Sequence, residues 1–187
     1  MLGLQPYLSP KLPSNYALYT PCKHPTHQMT HPITLRKLNP QDRAQWEPLW
    51  NDYTSFYERE PNPAITAHLW QRIHAPQPKV WAIAAVQPAT DPTDGADTII
   101  GIAHYLPHEN TSQLTPICYL QDLYVSPSAR AGGVGQQMID WLIAECKTQN
   151  WCALYWNTRE TNYRARALYD KYTPQSGYLV YRIKGPF

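Results

Sequence analysis

With 187 residues the chain has room for one compact domain with a hydrophobic core of its own. Its formal net charge of +2 gives no sign of a surface dedicated to nucleic acid, leaving room only for a local basic patch. No stretch approaches the roughly 20 apolar residues of a membrane span, and the first residues lack the apolar centre of a signal peptide, so a soluble, cytoplasmic protein is expected. Cys22, Cys118, Cys146 and Cys152 match neither a zinc spacing nor a dense disulfide framework and read as reduced thiols.

Residues 1–30 contain Pro6, Pro10, Pro13, Pro21 and Pro25 among scattered polar residues, a composition that breaks both helices and sheet ladders. A poorly ordered arm is expected there, with the folded domain over 31–187. Cys22 with His24, His27 and His31 could form a metal cluster, but the spacing fits no standard ligand set, and a His-containing leader is the preferred reading. The regular pattern begins after Met29, which raises the prospect that the functional chain starts there.

Ile33–Leu38 reads as a first strand, and Asn39-Pro40 as a helix start, with a capping side chain followed by Pro at the first helical position. Trp46, Leu49, Trp50, Tyr53 and Tyr57 then recur at helical spacing and form an aromatic face whose usual role is core packing. A second helix is predicted over Ala64–His74, ended by Pro76 and Pro78. Three strands follow, Val80–Val86, Thr98–Leu106 and Ile117–Val125, antiparallel by their order, with Gln87–Asp97 as an exposed hairpin tip. Beyond Gly135, Met138, Trp141, Leu142 and Cys146 share one helical face. A short buried strand Cys152–Trp156, a helix from Asn162 to about Tyr172 and a last strand Gly177–Ile183 complete a mixed α/β (α+β) pattern.

The segment that carries chemistry is the strand Leu120–Val125 running into Arg130-Ala131-Gly132-Gly133-Val134-Gly135 and then a helix. Successive N–H groups in such a turn point into one concavity, and the helix adds its positive end, so a pyrophosphate can be held with few charged side chains. A Walker loop would need a Gly-Lys-Ser/Thr ending, and a dinucleotide fingerprint needs a different glycine spacing; neither is present. An isolated Gly-Gly-x-Gly could equally be a plain turn.

Arg130, Gly133 and Gly135 stand on the defining positions of the Arg/Gln-x-x-Gly-x-Gly/Ala signature, and the chain resembles the GCN5-related N-acetyltransferase (GNAT) superfamily. The resemblance runs from about Ile33 to Lys184 in element order. Tyr119–Val125 is similar to the fourth strand of spermidine/spermine-type and Hpa-type histone/polyamine acetyltransferases, a subgroup that also includes enzymes acting on D-amino acids. Leu154–Thr158 with Asn162–Lys171 is similar to that subgroup's fifth strand and last helix. The resemblance implies a central mixed, mostly antiparallel sheet flanked by helices, acetyl-CoA as co-substrate, and direct attack by a primary amine of a polyamine, a protein lysine or another small molecule. An antibiotic or amino-acid acceptor, and a non-catalytic CoA-binding module, are the alternatives. It also implies a homodimer; the near-neutral charge and the lack of an apolar span point to neither nucleic acid nor membrane as partner.

By the same resemblance, the backbone of Leu123, Tyr124 and Val125 pairs with the pantetheine arm, and Arg130, Ala131, Gly132, Gly133, Val134, Gly135 and Gln136 hold the pyrophosphate. Asn162 contacts the pantetheine or its adjacent loop. Tyr169 faces the thioester sulfur as general acid, and Asp122, or a water near it, takes the amine proton. Asn162, Ala165 and Tyr169 fall on one helical face independently of the family. Tyr169 also reads as a core aromatic, and Asp122 as a turn cap or buried structural carboxylate. Asp52, Tyr53, Tyr57, Glu58, Glu60 and His104 are candidates for the acceptor pocket, where acidic and aromatic groups suit a cationic amine; the acids read alternatively as a solvated helix end. Two departures stand out: Tyr172-Thr173-Pro174 replaces the usual Gly-aromatic ending, and Gln121 stands where polyamine acetyltransferases often carry Glu.

Overall fold

The computed structural model describes residues 33–89 and 95–185. The expected N-terminal arm over 1–30, with its Cys22 and histidines, and the tip of the loop after Gln87 lie outside the described residues.

The first strand, β1 (Thr34–Lys37), is tied to the first helix through Asp42. This carboxylate accepts two hydrogen bonds from the Arg36 guanidinium, at 2.6 and 2.9 Å, and one from the Asn39 N–H at 2.7 Å. Charge-assisted bonds of this kind are the stronger ones. A short 3-10 turn at Pro40–Asp42 leads into α1 (Arg43–Phe56). The next helix, α2 (Pro63–Ile73), is capped by Asn62, whose Oδ1 accepts from the N–H groups of Ala64 and Ile65.

Strands β2 (Trp81–Gln87), β3 (Thr98–His108) and β4 (Ile117–Val125) follow, and the turn after β4 opens α3 (Val134–Thr148). A three-residue β5 (Leu154–Trp156) and α4 (Tyr163–Tyr169) come last. The sheet order is β1-β2-β3-β4-β5, antiparallel throughout except for the parallel β4–β5 pair. This is the mixed, mostly antiparallel sheet flanked by helices expected from the sequence.

Each face of the sheet has its own core. Helices α1 and α2 pack Trp46, Trp50, Tyr53 and Trp70 against Ala84, Ile102 and Tyr124. On the opposite face α3 packs Met138, Ile139 and Leu142 against Ile83, Ala85, Tyr105 and Leu120. The switch of faces along β4 has a cause. His104 pairs with Asp122 but Tyr105 pairs with Leu120, so Gln121 is an extra residue, a β-bulge. Before the bulge Cys118 and Leu120 face α3; after it Asp122 and Tyr124 face α1, while Leu123 and Val125 turn to the α3 side.

Two expectations fail at the C-terminal end. The helix from Asn162 stops at Tyr169 rather than Tyr172, and the Tyr172 hydroxyl instead bonds the Gln136 carbonyl at 3.1 Å and the Asp140 carboxylate at 2.8 Å. The strand read over Gly177–Ile183 is not formed: Tyr178, Leu179, Val180, Tyr181 and Ile183 are exposed along an irregular segment. Its β-forming composition is real, but strand propensity becomes structure only against a partner edge.

Candidate functional site

Strand β4 has nine residues but is bonded to β5 only at Cys118, Tyr119 and Leu120. Past Leu120 the two parallel strands part, and among the described residues no strand lies beside the backbone of Gln121–Val125 on that side. This gap opens into a cleft of about 360 Å³. An extended ligand can add there as a strand would, by main-chain hydrogen bonds.

At the far end of the gap lies the turn. Arg130 closes it: its Nε donates to the Val125 carbonyl at 2.9 Å, and its guanidinium sits 5.4 Å from the Tyr124 ring centre. Ala131 and Gly133 both adopt positive φ, +71° and +74°, the strained geometry that curls successive N–H groups inward. The two glycines act for different reasons. A Cβ on Gly133 would meet nothing, so its need is conformational, whereas a Cβ on Gly135 would lie 3.3 Å from Leu168, so its need is close packing of α3 on α4. Ala131, Gly133, Val134, Gly135 and Gln136 face the cleft, and Gly132 does not.

Helix α4 supplies a second wall. Asn162 caps it, accepting from the Ala165 N–H, and its own amide donates to Thr158. Asn162, Ala165 and Tyr169 line the cleft together, as their spacing required. The Tyr169 ring rests 5.2 Å from that of Trp156, and burial, with Tyr57 across the cleft adding to it, pushes the phenol up to about 12. At neutral pH it is a donor. Arg164 and Lys171 also line the cleft. They were missed in the sequence, although Arg164, Leu168 and Lys171 are themselves four and three residues apart, a spacing that places them on one helical face.

The third wall is α1, through Tyr53, Phe56 and Tyr57. Asp122 lies behind it, 7 % exposed and close enough to Tyr53 to perturb its phenol. Burial, then the Asp122 charge, raises the Tyr53 phenol far above its ordinary value. The Asp122 carboxylate also meets His104 Nδ1 at 3.0 Å, and His104 Nε2 accepts from the Trp46 indole N–H at 3.0 Å. Two guanidinium groups stand over the mouth of this wall. Arg59 lies 5.8 Å from the Tyr53 ring centre and 5.9 Å from that of Tyr57, and Arg159 lies 5.2 Å from Tyr57.

An open strand edge, a turn with two positive-φ residues and a protonated phenol on the helix opposite thus border one cleft. The family model for the acetyltransferase (GNAT) family matches residues 43–173. The chain belongs to the GNAT family. It is an acetyl-CoA-dependent acetyltransferase. The D-amino-acid N-acetyltransferase HPA3 of Saccharomyces cerevisiae is 29% identical over 163 residues, covering 87% of this chain and 98% of that protein. Among solved structures, the ribosomal-protein-alanine N-acetyltransferase of Brucella melitensis biovar Abortus 2308 shares the fold at TM-score 0.67 and 18% identity, over 82% of this chain and 100% of that one. The aminoglycoside N-acetyltransferase AAC(6')-Iy in complex with CoA does so at TM-score 0.65 and 18% identity, over 82% and 95%.

Within this GNAT chain four expected pocket residues are not among those lining the cleft. His104 has 0 % exposure, sealed under Trp46 and Trp50, because the β4 bulge pairs it with Asp122 on the face that α1 covers. It cannot touch an acceptor. The Glu58 side chain is 82 % exposed at the end of α1, at a backbone φ of +57°, with Arg159 3.8 Å away. Asp52 is exposed as well, and Glu60 lies in the exposed loop before α2. Glu58 and Glu60 are exposed past the helix end, whereas Asp52 lies close enough to Tyr124, on the cleft wall, to add to burial in raising its phenol.

Proposed function

We propose that the protein transfers the acetyl group of acetyl-CoA to the primary amine of a small amino acid, by direct attack while both substrates are bound. The observation that carries the acceptor class is the juxtaposition of charges at the α1 wall. The Asp122 carboxylate lies behind Tyr53, and the Arg59 and Arg159 guanidiniums lie over Tyr53 and Tyr57. An ammonium suits the first and a carboxylate the second, and guanidinium is the side chain that best matches a carboxylate's two oxygens. The yeast relative is by its name a D-amino-acid N-acetyltransferase, which supports this reading. A polyamine or a lysine-rich protein tail is less well served, since Gln121 adds no carboxylate and two cations face the mouth.

The residues present fit acetyl-CoA. The open edge of Leu123–Val125 would pair with the pantetheine arm, with Asn162 beside it. The turn from Arg130 to Gln136 would hold the pyrophosphate, with Arg164 and Lys171 at its flank. When bound, the co-substrate supplies a thioester carbonyl open to attack by an amine. The Tyr53 hydroxyl passes its proton to Asp122 as it takes one from the amine. Tyr169 donates toward the departing thiolate. Backbone N–H groups of β4 beyond the bulge polarise the carbonyl.

A homodimer belongs to this reading, supported by the exposed apolar residues of 178–183 and the open edge of β5. So does a cytoplasmic location, which fits unpaired Cys118, Cys146 and Cys152. No helix among the described residues is long and apolar enough to cross a membrane, and nucleic acid has no part in the reading. Thiol release from acetyl-CoA should be measured against D- and L-amino acids, spermidine, an aminoglycoside and a lysine-rich peptide. Amino acids should be turned over best, and Arg59→Met should raise KM for them while sparing an amine without a carboxylate. Faster turnover of spermidine than of any amino acid would overturn the acceptor assignment.

A further inference from the structure

The buried chain behind the acceptor wall has a direction, and Trp46 sets it. An indole N–H can only donate, so at 3.0 Å from His104 Nε2 it requires that nitrogen to be the acceptor. The imidazole must then be neutral and carry its proton on Nδ1. That N–H, 3.0 Å from Asp122 Oδ2, donates to the carboxylate. Tyr53 reaches Asp122 from α1, with Arg59 beyond its ring, and Ala82 of β2 lies opposite His104 in the sheet. Trp50 closes the imidazole on the remaining side, its ring centre 5.2 Å away.

We propose that Trp46 is a positioning residue: through its indole N–H it holds His104 in the neutral Nδ1–H form and so keeps Asp122 an unprotonated acceptor facing Tyr53. The inference rests on the proton path of the proposed reaction, but the tautomer it assigns exists whether or not that path is used. A second proton on His104 Nε2 would place an N–H against the indole N–H. The imidazole therefore presents a neutral N–H, not an imidazolium, to Asp122. Without Trp46 the Nε2 position is open to a second proton, and an Asp122–imidazolium pair would accept an amine proton less readily.

Nitrogen-15 NMR of the ring nitrogens reads this directly. In the wild-type chain His104 should show the neutral Nδ1–H tautomer from pH 5.5 to 9. An Nε2–H tautomer, or an imidazolium appearing in that range, overturns the proposal whatever the activity assays give. In Trp46→Phe the His104 signals should titrate, and the acidic limb of kcat/KM, measured with the best amino-acid acceptor, should move to higher pH with a loss of about tenfold or more at pH 6 that shrinks toward pH 9. A uniform loss at all pH values would make Trp46 a packing residue only. Since Trp46 is fully buried and its loss can unsettle the core, His104→Asn gives a second readout. An Asn amide can keep the donor to Asp122, so this variant should retain activity that His104→Leu loses. Equal loss in both refutes the assignment.

Discussion

Replacing Tyr169 by Phe separates chemistry from binding, and its size can be argued from the surroundings of the ring. The contact with Trp156 at 5.2 Å and the packing against α3 survive the change, and among the described residues no hydrogen bond holds the hydroxyl. Stability should move by less than about 1 kcal/mol, because no partner is left unsatisfied. The phenol, pushed up to about 12 by burial, stays protonated throughout the usual assay range. A thiol ionises near 8.5, so complete transfer of the proton to a free thiolate would be uphill by about 5 kcal/mol. Tyr169 must therefore act by donating a hydrogen bond as negative charge grows on sulfur. Such bonds to charged groups contribute about 1.5–3 kcal/mol, which sets the expected loss at about 10- to 150-fold in the chemical step. Single-turnover acetyl transfer gives the rate, calorimetry the acetyl-CoA affinity and thermal unfolding the stability. Wild-type single-turnover rates would make Tyr169 a packing residue. A parallel collapse of rate and affinity would mean that the hydroxyl holds the pantetheine arm rather than the leaving group.

The two glycines of the turn should respond differently to the same substitution. Gly133→Ala should cost about 1 kcal/mol through its positive φ and weaken acetyl-CoA binding in calorimetry modestly, while Gly133→Glu should abolish it; unchanged affinity in the Glu variant would mean the pyrophosphate site is misplaced. Tyr105 buries a hydroxyl with no hydrogen-bond partner, so Tyr105→Phe should raise the melting temperature by roughly 2–4 °C, and a lower one would refute the reading. Burial also raises the Tyr105 phenol well above its ordinary value. The unfolded chain then loses this proton near pH 10 while the folded chain keeps it, so stability falls as pH rises above about 10, and Tyr105→Phe should flatten that limb.

Most of the frame was legible because it rests on local rules. The limits of β4 were read directly from its apolar and β-branched run, and the end of α2 from the proline stop after it, while its Asn62 cap and Pro63 start were not read. The turn was legible because glycines at fixed offsets are needed for backbone geometry, although the sequence alone could not tell the conformational demand at Gly133 from the packing demand at Gly135. What escaped were pairings across the sheet. Nothing near Gln121 marks a bulge, so the face that Asp122 and His104 share could not be foreseen, and His104 was placed at the acceptor when it lies beneath it. The missing last strand has the same origin: the composition of residues 177–183 states a preference, while a strand needs an edge to join.

The aromatic spacing of α1 shows how a pattern read as core packing can also build a site. Trp46, Trp50, Tyr53 and Tyr57 follow one stripe, yet their surroundings change along the helix. Trp46 is fully buried on His104, Tyr53 is buried beside Asp122, and Tyr57 reaches the cleft beneath Arg159. Two of the four carry a hydroxyl, and both stand at the wet end, where a ring can pack on one side and a polar tip can meet a ligand. The stripe thus runs from core to cleft without a break. The rings are packed in series, Trp46 on Trp50 at 6.2 Å, Trp50 on Tyr53 at 5.6 Å and Tyr53 on Tyr57 at 5.0 Å. A substitution at the buried end therefore reaches the acceptor wall by two routes, through the rings and through His104 and Asp122. Only the second depends on pH, and that difference separates a proton-holding role for Trp46 from a purely steric one.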